Sequence, residues 1–231
     1  MLGMESARIY LMTPLRRKIA TKTGFLGVCP KIVGRKMTNK ELQDFSNFLC
    51  NDLKISPKGV TWTIKEAGKD SGIENLCLRF KNGQDVVILR QLESNLYPFQ
   101  QAMESCDFIV ITSKDKRFRV FFCEIKTTAD SGSMEKAKNQ IDSSEIFFNY
   151  ICRCYAHSKN VKENKFAMPP PEITHMLLYI RTTKGSVHNK GRSKYQSIIT
   201  RRIDMDRDNS GCATTRATIY DAYSFFTKKA D

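Results

Sequence analysis

The stretch from Cys106 to Lys126, CDFIVITSKDKRFRVFFCEIK, constrains this chain more than any other part of it. Two apolar runs, Phe108-Ile109-Val110-Ile111 and Phe118 to Ile125, are rich in β-branched and aromatic residues and bracket the polar segment Ser113 to Arg117. That pattern predicts a β-hairpin made of two central strands. Against it Asp107, Glu124 and Lys126 are out of place, because charge inside a strand costs free energy unless it is paired or bound to metal. Side chains alternate across a strand, so Glu124 and Lys126 share one face while Ile125 points the other way. An antiparallel neighbour beginning at Asp107 brings its carboxylate alongside them. Two carboxylates and an ammonium group then meet in one small volume.

The partner is suggested by charge. Across 231 residues, 38 Lys and Arg stand against 24 Asp and Glu, a formal net charge of +14. An excess of this size favours a polyanion, and nucleic acid is the first candidate. The excess is concentrated towards the two ends of the chain and not along one amphipathic stripe, so a membrane surface is not expected. No run approaches the roughly 18 apolar residues of a membrane span, and the first residues lack the apolar core of a signal peptide. A cytoplasmic protein is expected. The eight cysteines are scattered, several within apolar runs, as reduced thiols would be. Cys152 and Cys154 with His157 lack the second ligand pair of a zinc site and read as buried helix thiols.

Along the chain, residues 1–60 read as a basic arm followed by a helix, residues 61–182 as the core, and residues 183–231 as a basic C-terminal extension packed on the same domain. Thr38 and Glu41 have the spacing of a capping box, and Leu42, Phe45, Phe48, Leu49 and Leu53 give the helix that follows an apolar face. Val60 to Ala67, Glu74 to Phe80 and Asp85 to Leu89 read as strands. Asn82-Gly83 between the last two is a hairpin signal. Gln91 to Ser105 has helical spacing, with Pro98 to kink or delimit it. Beyond Lys126, Ser133 is expected to cap a helix from Met134 to about Tyr155 that buries Ala137, Ile141, Phe148, Ile151 and Tyr155. His175 to Ile180 reads as a short buried strand, Tyr195 to Ile203 as a weaker one, and Tyr220 to Phe226 as a closing aromatic stretch.

Hard divalent cations such as Mg²⁺, with Mn²⁺ as a substitute, take one or two carboxylates together with waters and phosphate oxygens. Asp107 and Glu124 are the carboxylates, and the Ile125 carbonyl is a further candidate ligand. Lys126 beside them is suited to orient an attacking water or to neutralise charge developing on a phosphate. That set of groups suits metal-assisted phosphodiester hydrolysis. Solvent-facing pairing of Glu124 with Lys126 on an edge strand is the plainer reading, and Asp107 closing the preceding helix is its counterpart.

An aspartate on one strand and Glu-x-Lys on the next, as in Asp107, Glu124 and Lys126, resembles the PD-(D/E)XK, or restriction-endonuclease-like, nuclease superfamily. Cys106 stands where that motif often has proline. The resemblance covers roughly residues 90–155 and the strand at 175–180. It implies an α/β (α+β) fold with a central mixed β-sheet flanked by helices, to which this chain adds N-terminal and C-terminal segments. It also implies a glutamate from the preceding helix, Glu93 with Glu104 as a rival, and a glutamine from the following helix, Gln140. The expected activity is Mg²⁺-dependent cleavage of DNA, with RNA left open and a homodimer plausible. The alternative is a nucleic-acid-binding protein on the same fold that does not cleave. Lys184, Lys190, Arg192, Lys194, Arg201 and Arg202 are the candidate backbone contacts.

Overall fold

Layering follows from the alternation of side chains in the central hairpin. The computed structural model describes residues 37–65, 72–90, 104–159, 171–180 and 197–228, all within one compact unit, Ile32–Asp231. In chain order the elements are α1 (Asn39–Phe48), β1 (Thr61–Lys65), β2 (Asn75–Arg79), β3 (Val86–Leu89), β4 (Phe108–Thr112) and β5 (Arg119–Lys126). They are followed by α2 (Ser131–Ser158), β6 (Glu172–Tyr179), β7 (Ile198–Arg202), β8 (Arg216–Ile219) and α3 (Ala222–Thr227).

Every residue of β4 is buried, as is β5 from Val120 to Ile125. Strands buried on both faces must lie inside a sheet with a layer on each side. They do, in a five-stranded sheet of order β3-β4-β5-β6-β7. β4 runs antiparallel to both of its neighbours, β3 and β5, whereas β6 and β7 run parallel to β5 and to each other. The antiparallel ladder runs from Phe108 opposite Cys123 to Thr112 opposite Arg119. Its turn is tight enough to put Asp115 and Lys116 at φ 57° and 56°, in the left-handed region that Asp tolerates better than most residues.

One face of the sheet carries Val87, Ile109, Ile111, Val120 and Phe122 against Leu42 and Phe45 of α1 and Ile141, Phe148, Ile151 and Tyr155 of α2. The opposite face carries Ile88, Phe108, Val110, Phe121, Cys123 and Ile125 against a second sheet. That sheet has the order β1-β2-β8, with β1 antiparallel and β8 parallel to β2. Trp62, Ile64, Leu76, Leu78 and Ala217 are its inward residues, and Phe226 of α3 closes the same core. The architecture is mixed α+β in three layers: small sheet, large sheet, helices. Among the described residues no helix is long and apolar enough to cross a membrane.

Self-contained local signals in the sequence match the structure. Thr38 and Glu41 make the full capping box of α1. Every helix position expected to be buried between Ala137 and Tyr155 is buried. α2 nevertheless starts earlier than expected, because Asp130 and not Ser133 is the N-cap and its side chain accepts from the Ser133 N–H. The hairpin expected across Asn82-Gly83 does not form. Asn82 instead caps a single 3-10 turn at Gly83–Asp85, and β2 and β3 join different sheets. All four residues of β3 are buried, which only the inner sheet can satisfy. The basic arm and the helix expected over Gln91 to Ser105 lie outside the described residues, apart from the last two positions of that helix, Glu104 and Ser105, which are not helical.

Candidate active site

The β4–β5 ladder stops at Phe108 and Cys123, and the backbone groups beyond it need partners. Two carboxylates supply them. Asp107 Oδ2 accepts from the Ile125 N–H at 2.6 Å, and Glu124 Oε2 accepts from the Asp107 N–H at 3.2 Å. Glu124 Oε1 takes the Lys126 ammonium at 2.5 Å. The three residues singled out in the sequence are therefore one connected network. β5 is the middle strand of five and Glu124 is 1% exposed, so this is not an ion pair on a solvent-facing edge strand. The Lys126 side chain keeps 25% of its exposure and Asp107 is half-buried, which leaves the network open on one side.

In an extended strand the N–H and C=O of one residue point to the same edge. Because the Ile125 N–H meets Asp107, the Ile125 carbonyl is directed to the carboxylate side as well. The donor set is then all oxygen: two carboxylates and one backbone carbonyl, the chemistry a hard divalent cation takes. Among the described residues no group of three or more His, Cys, Asp or Glu side chains comes together, so the protein's share of such a site is small. Mg²⁺ accepts that, since it keeps several waters and phosphate oxygens. Asp107, Glu124 and Ile125 fit the ion on these grounds.

α2 seats the segment that carries Asp107. Ser144, fully buried, accepts the Cys106 N–H at 2.8 Å and donates to the Gln140 carbonyl at 2.9 Å. Gln140 Nε2 donates to the Ser105 carbonyl at 3.2 Å, while its Oε1 is buried without a hydrogen-bond partner among the described residues. Gln140, on the helix that follows β5, thus reaches the approach to β4. A buried acceptor of this kind is a place where a bound water is favoured, and Gln140 binds Ser105, two residues before Asp107. Glu104, the rival for the helix glutamate, is exposed.

Electrostatics agree with two carboxylates in a dry setting. Burial pushes the Cys106 thiol up to about 12, against a lowering by the Ser144 hydrogen bond, and the Glu124 and Asp107 charges add to the rise. Burial also holds the Cys123 thiol well above its ordinary value, with Cys106, Asp107 and Glu124 acting in the same direction. His175 places Nε2 2.8 Å from Glu145 Oε2 and meets the Phe122 ring edge-on. It ties β6 to α2.

A cleft of about 290 Å³ opens beside Asp107, lined by Lys54, Ser56, Thr63, Lys65 and Arg90 among others. Its three basic residues were not foreseen, because they lie far apart in sequence and meet only through the pairing of Lys54 with Leu89 and the packing of the small sheet. Of the foreseen basic contacts, Arg201 donates to the Lys228 carbonyl and lies over the Phe225 ring at 5.5 Å. Arg202 Nε is 3.2 Å from Asp204 on the surface. Glu93, Lys184, Lys190, Arg192 and Lys194 lie outside the described residues. Cys152 and Cys154 lie on α2 as expected, but they are half-exposed and not buried.

No family model matches the chain, and neither a curated protein nor a solved structure matches it.

Proposed function

We propose that this protein is a metal-dependent nuclease of the PD-(D/E)XK type that hydrolyses phosphodiester bonds of DNA. The observation that carries the proposal is the hydrogen-bonded set Asp107, Glu124 and Lys126 on one face of a central strand pair. The mixed sheet with helices on that face supports the restriction-endonuclease-like reading, as does the basic cleft that includes Asp107. Asp107, Glu124 and the Ile125 carbonyl hold Mg²⁺, or Mn²⁺ in its place. Bound there, the ion supplies Lewis-acid polarisation of the phosphate and lowers the pKa of water. Lys126 orients the attacking water or neutralises charge on the phosphate in the transition state. Gln140 and Ser144 hold the strand entrance that carries Asp107, and Lys54, Lys65 and Arg90 take the phosphates beside the one attacked.

The second reading, binding without cleavage, draws support from the same geometry. Both Glu124 oxygens are already engaged by Lys126 and by the Asp107 N–H. Supercoiled plasmid and circular single-stranded DNA separate the two. Nicking in Mg²⁺ that stops in EDTA and falls about a hundredfold or more in Asp107→Ala and Lys126→Ala is the expected result. Nicking that persists in EDTA or in Asp107→Ala sinks the nuclease reading. DNA binding with no cleavage in Mg²⁺ or Mn²⁺ establishes the second.

A further inference from the structure

Apart from Cys77, which is buried, the outer face of the three-stranded sheet is polar, and its residues line up in rows across the strands. Thr63, Cys77 and Thr218 form one row, and Lys65, Asn75 and Arg216 another. Thr61 stands opposite Arg79, and Tyr220 follows the end of β8. Here the surface sinks into an open cleft of about 500 Å³ lined by Arg79, Arg207, Arg216, Thr218 and Tyr220, with Asp206 at its base.

Asp206 accepts from the Thr218 N–H at 3.1 Å and from its hydroxyl at 2.7 Å, and lies 3.6 Å from Arg216 Nε. One carboxylate thus faces three guanidinium groups, which leaves a net positive cleft. Arg207 is held by donating to the Gly211 carbonyl at 2.8 Å. Tyr220 is 71% exposed, an unusual position for a large aromatic ring in a polar surface. The Arg79 guanidinium sits 5.6 Å from its centroid, which braces one side of the ring and leaves the remainder open to solvent.

We propose that this outer sheet face is a binding platform for single-stranded nucleic acid. The arginines take the phosphates, where planar donors in fixed positions are most effective. Tyr220 stacks an unpaired base, a contact that every base offers and that a duplex conceals. The outward residues of β1 border both clefts, with Thr61 lining this one and Thr63 and Lys65 lining the one that contains Asp107. A strand crossing β1 therefore passes from platform to candidate active site. That continuity rests on the nuclease reading, whereas binding to the platform does not.

The test is fluorescence anisotropy of a labelled 20-nucleotide dT oligomer, its rU counterpart and a duplex of equal length, all in EDTA. Wild type is expected to bind the single strands more tightly than the duplex. Tyr220→Leu should weaken dT binding about tenfold, as loss of one stacked base does. Arg79→Ala/Arg216→Ala should lower the slope of log affinity against log salt by about 1.4, two phosphates' worth on a single strand. Because binding is read in EDTA, without metal-dependent hydrolysis, failure of the hydrolytic site and failure of the platform are read separately. These side chains are exposed, and a matching thermal transition for each variant confirms that the fold is intact. Single-strand binding unchanged within twofold in both platform variants overturns the proposal. A duplex preference lost through the same residues also overturns it, in favour of a duplex-binding face.

Discussion

At Glu124 a carboxylate that is 1% exposed meets the Lys126 ammonium at 2.5 Å with apolar sheet residues around it. Desolvation of such a pair consumes most of its Coulomb attraction, so apolar residues of similar volume give equal or better stability, while removing the ammonium takes the counter-charge from a buried carboxylate. Lys126→Met is therefore expected to destabilise the fold by about 3–5 kcal/mol. The double variant Glu124→Leu/Lys126→Met should recover most of that loss. Urea unfolding of the single and double variants measures both. A double variant that is stable and inactive assigns the pair to chemistry; one no more stable than the single variant assigns it to holding the strands. Cys106 offers a second, pH-dependent reading of the same pocket. Its thiol is raised from an ordinary 9.0 to about 12, chiefly by burial. Below pH 9 both the folded and unfolded thiols are protonated and contribute no pH dependence. Above it the unfolded chain releases the proton first, so stability falls as pH rises towards 12, by up to about 4 kcal/mol. Cys106→Ala should flatten the decline by about 1.4 kcal/mol per pH unit above pH 9. Equal slopes in the two proteins would remove the buried thiol from the account.

At the scale of elements, α2 is the support on which the site depends. Ser144→Ala deprives the buried Cys106 N–H of its acceptor, a loss of about 1–3 kcal/mol, and frees the segment that carries Asp107. The expected result is a lower urea midpoint together with cleavage that falls more than stability does. Cleavage at the wild-type rate in a folded Ser144→Ala protein would show that Asp107 is held from elsewhere. Elements also mark the limit of what could be read beforehand. The β4–β5 hairpin was legible because alternation, a polar turn and two misplaced carboxylates all lie within 21 consecutive residues. The α1 capping box was legible because its partners are three residues apart. The partner of β2 was not, because β8 lies on the far side of the core in sequence and its four residues, Arg216 to Ile219, carry too short a pattern to stand out. Lys54, Lys65 and Arg90 were missed for the same reason. Each is an ordinary surface cation until strand pairing puts it beside Asp107.

For the whole molecule, the position of the last thirty residues matters most. A basic extension packed on a finished core is one arrangement; a segment that completes the core is another, and they differ in what truncation does. β8 occupies one side of β2 from Asn75 to Leu78. Phe226 of α3 is 3% exposed, stacks with Phe80 at 6.4 Å and lies against Phe121 at 5.3 Å, so it packs between β5 and the residue that follows β2. Phe226→Ala should therefore cost about 3–5 kcal/mol, the range for emptying a buried aromatic site. Ending the chain after Asp204 removes β8 and α3 together, strips Leu76, Leu78, Phe80 and Phe121 of cover, and leaves the β2 edge unpaired. Unpaired edges with exposed apolar faces recruit other chains. The truncated protein is expected to show no cooperative thermal transition and to aggregate, whereas Phe226→Ala keeps a single transition at lower temperature. A truncated chain that melts cooperatively near the full-length midpoint would make the C-terminal segment an appendage. Loss of the transition would mean that the arginine-lined sheet face and the core above the carboxylate network fold as one unit, so that neither can be tested on an excised fragment.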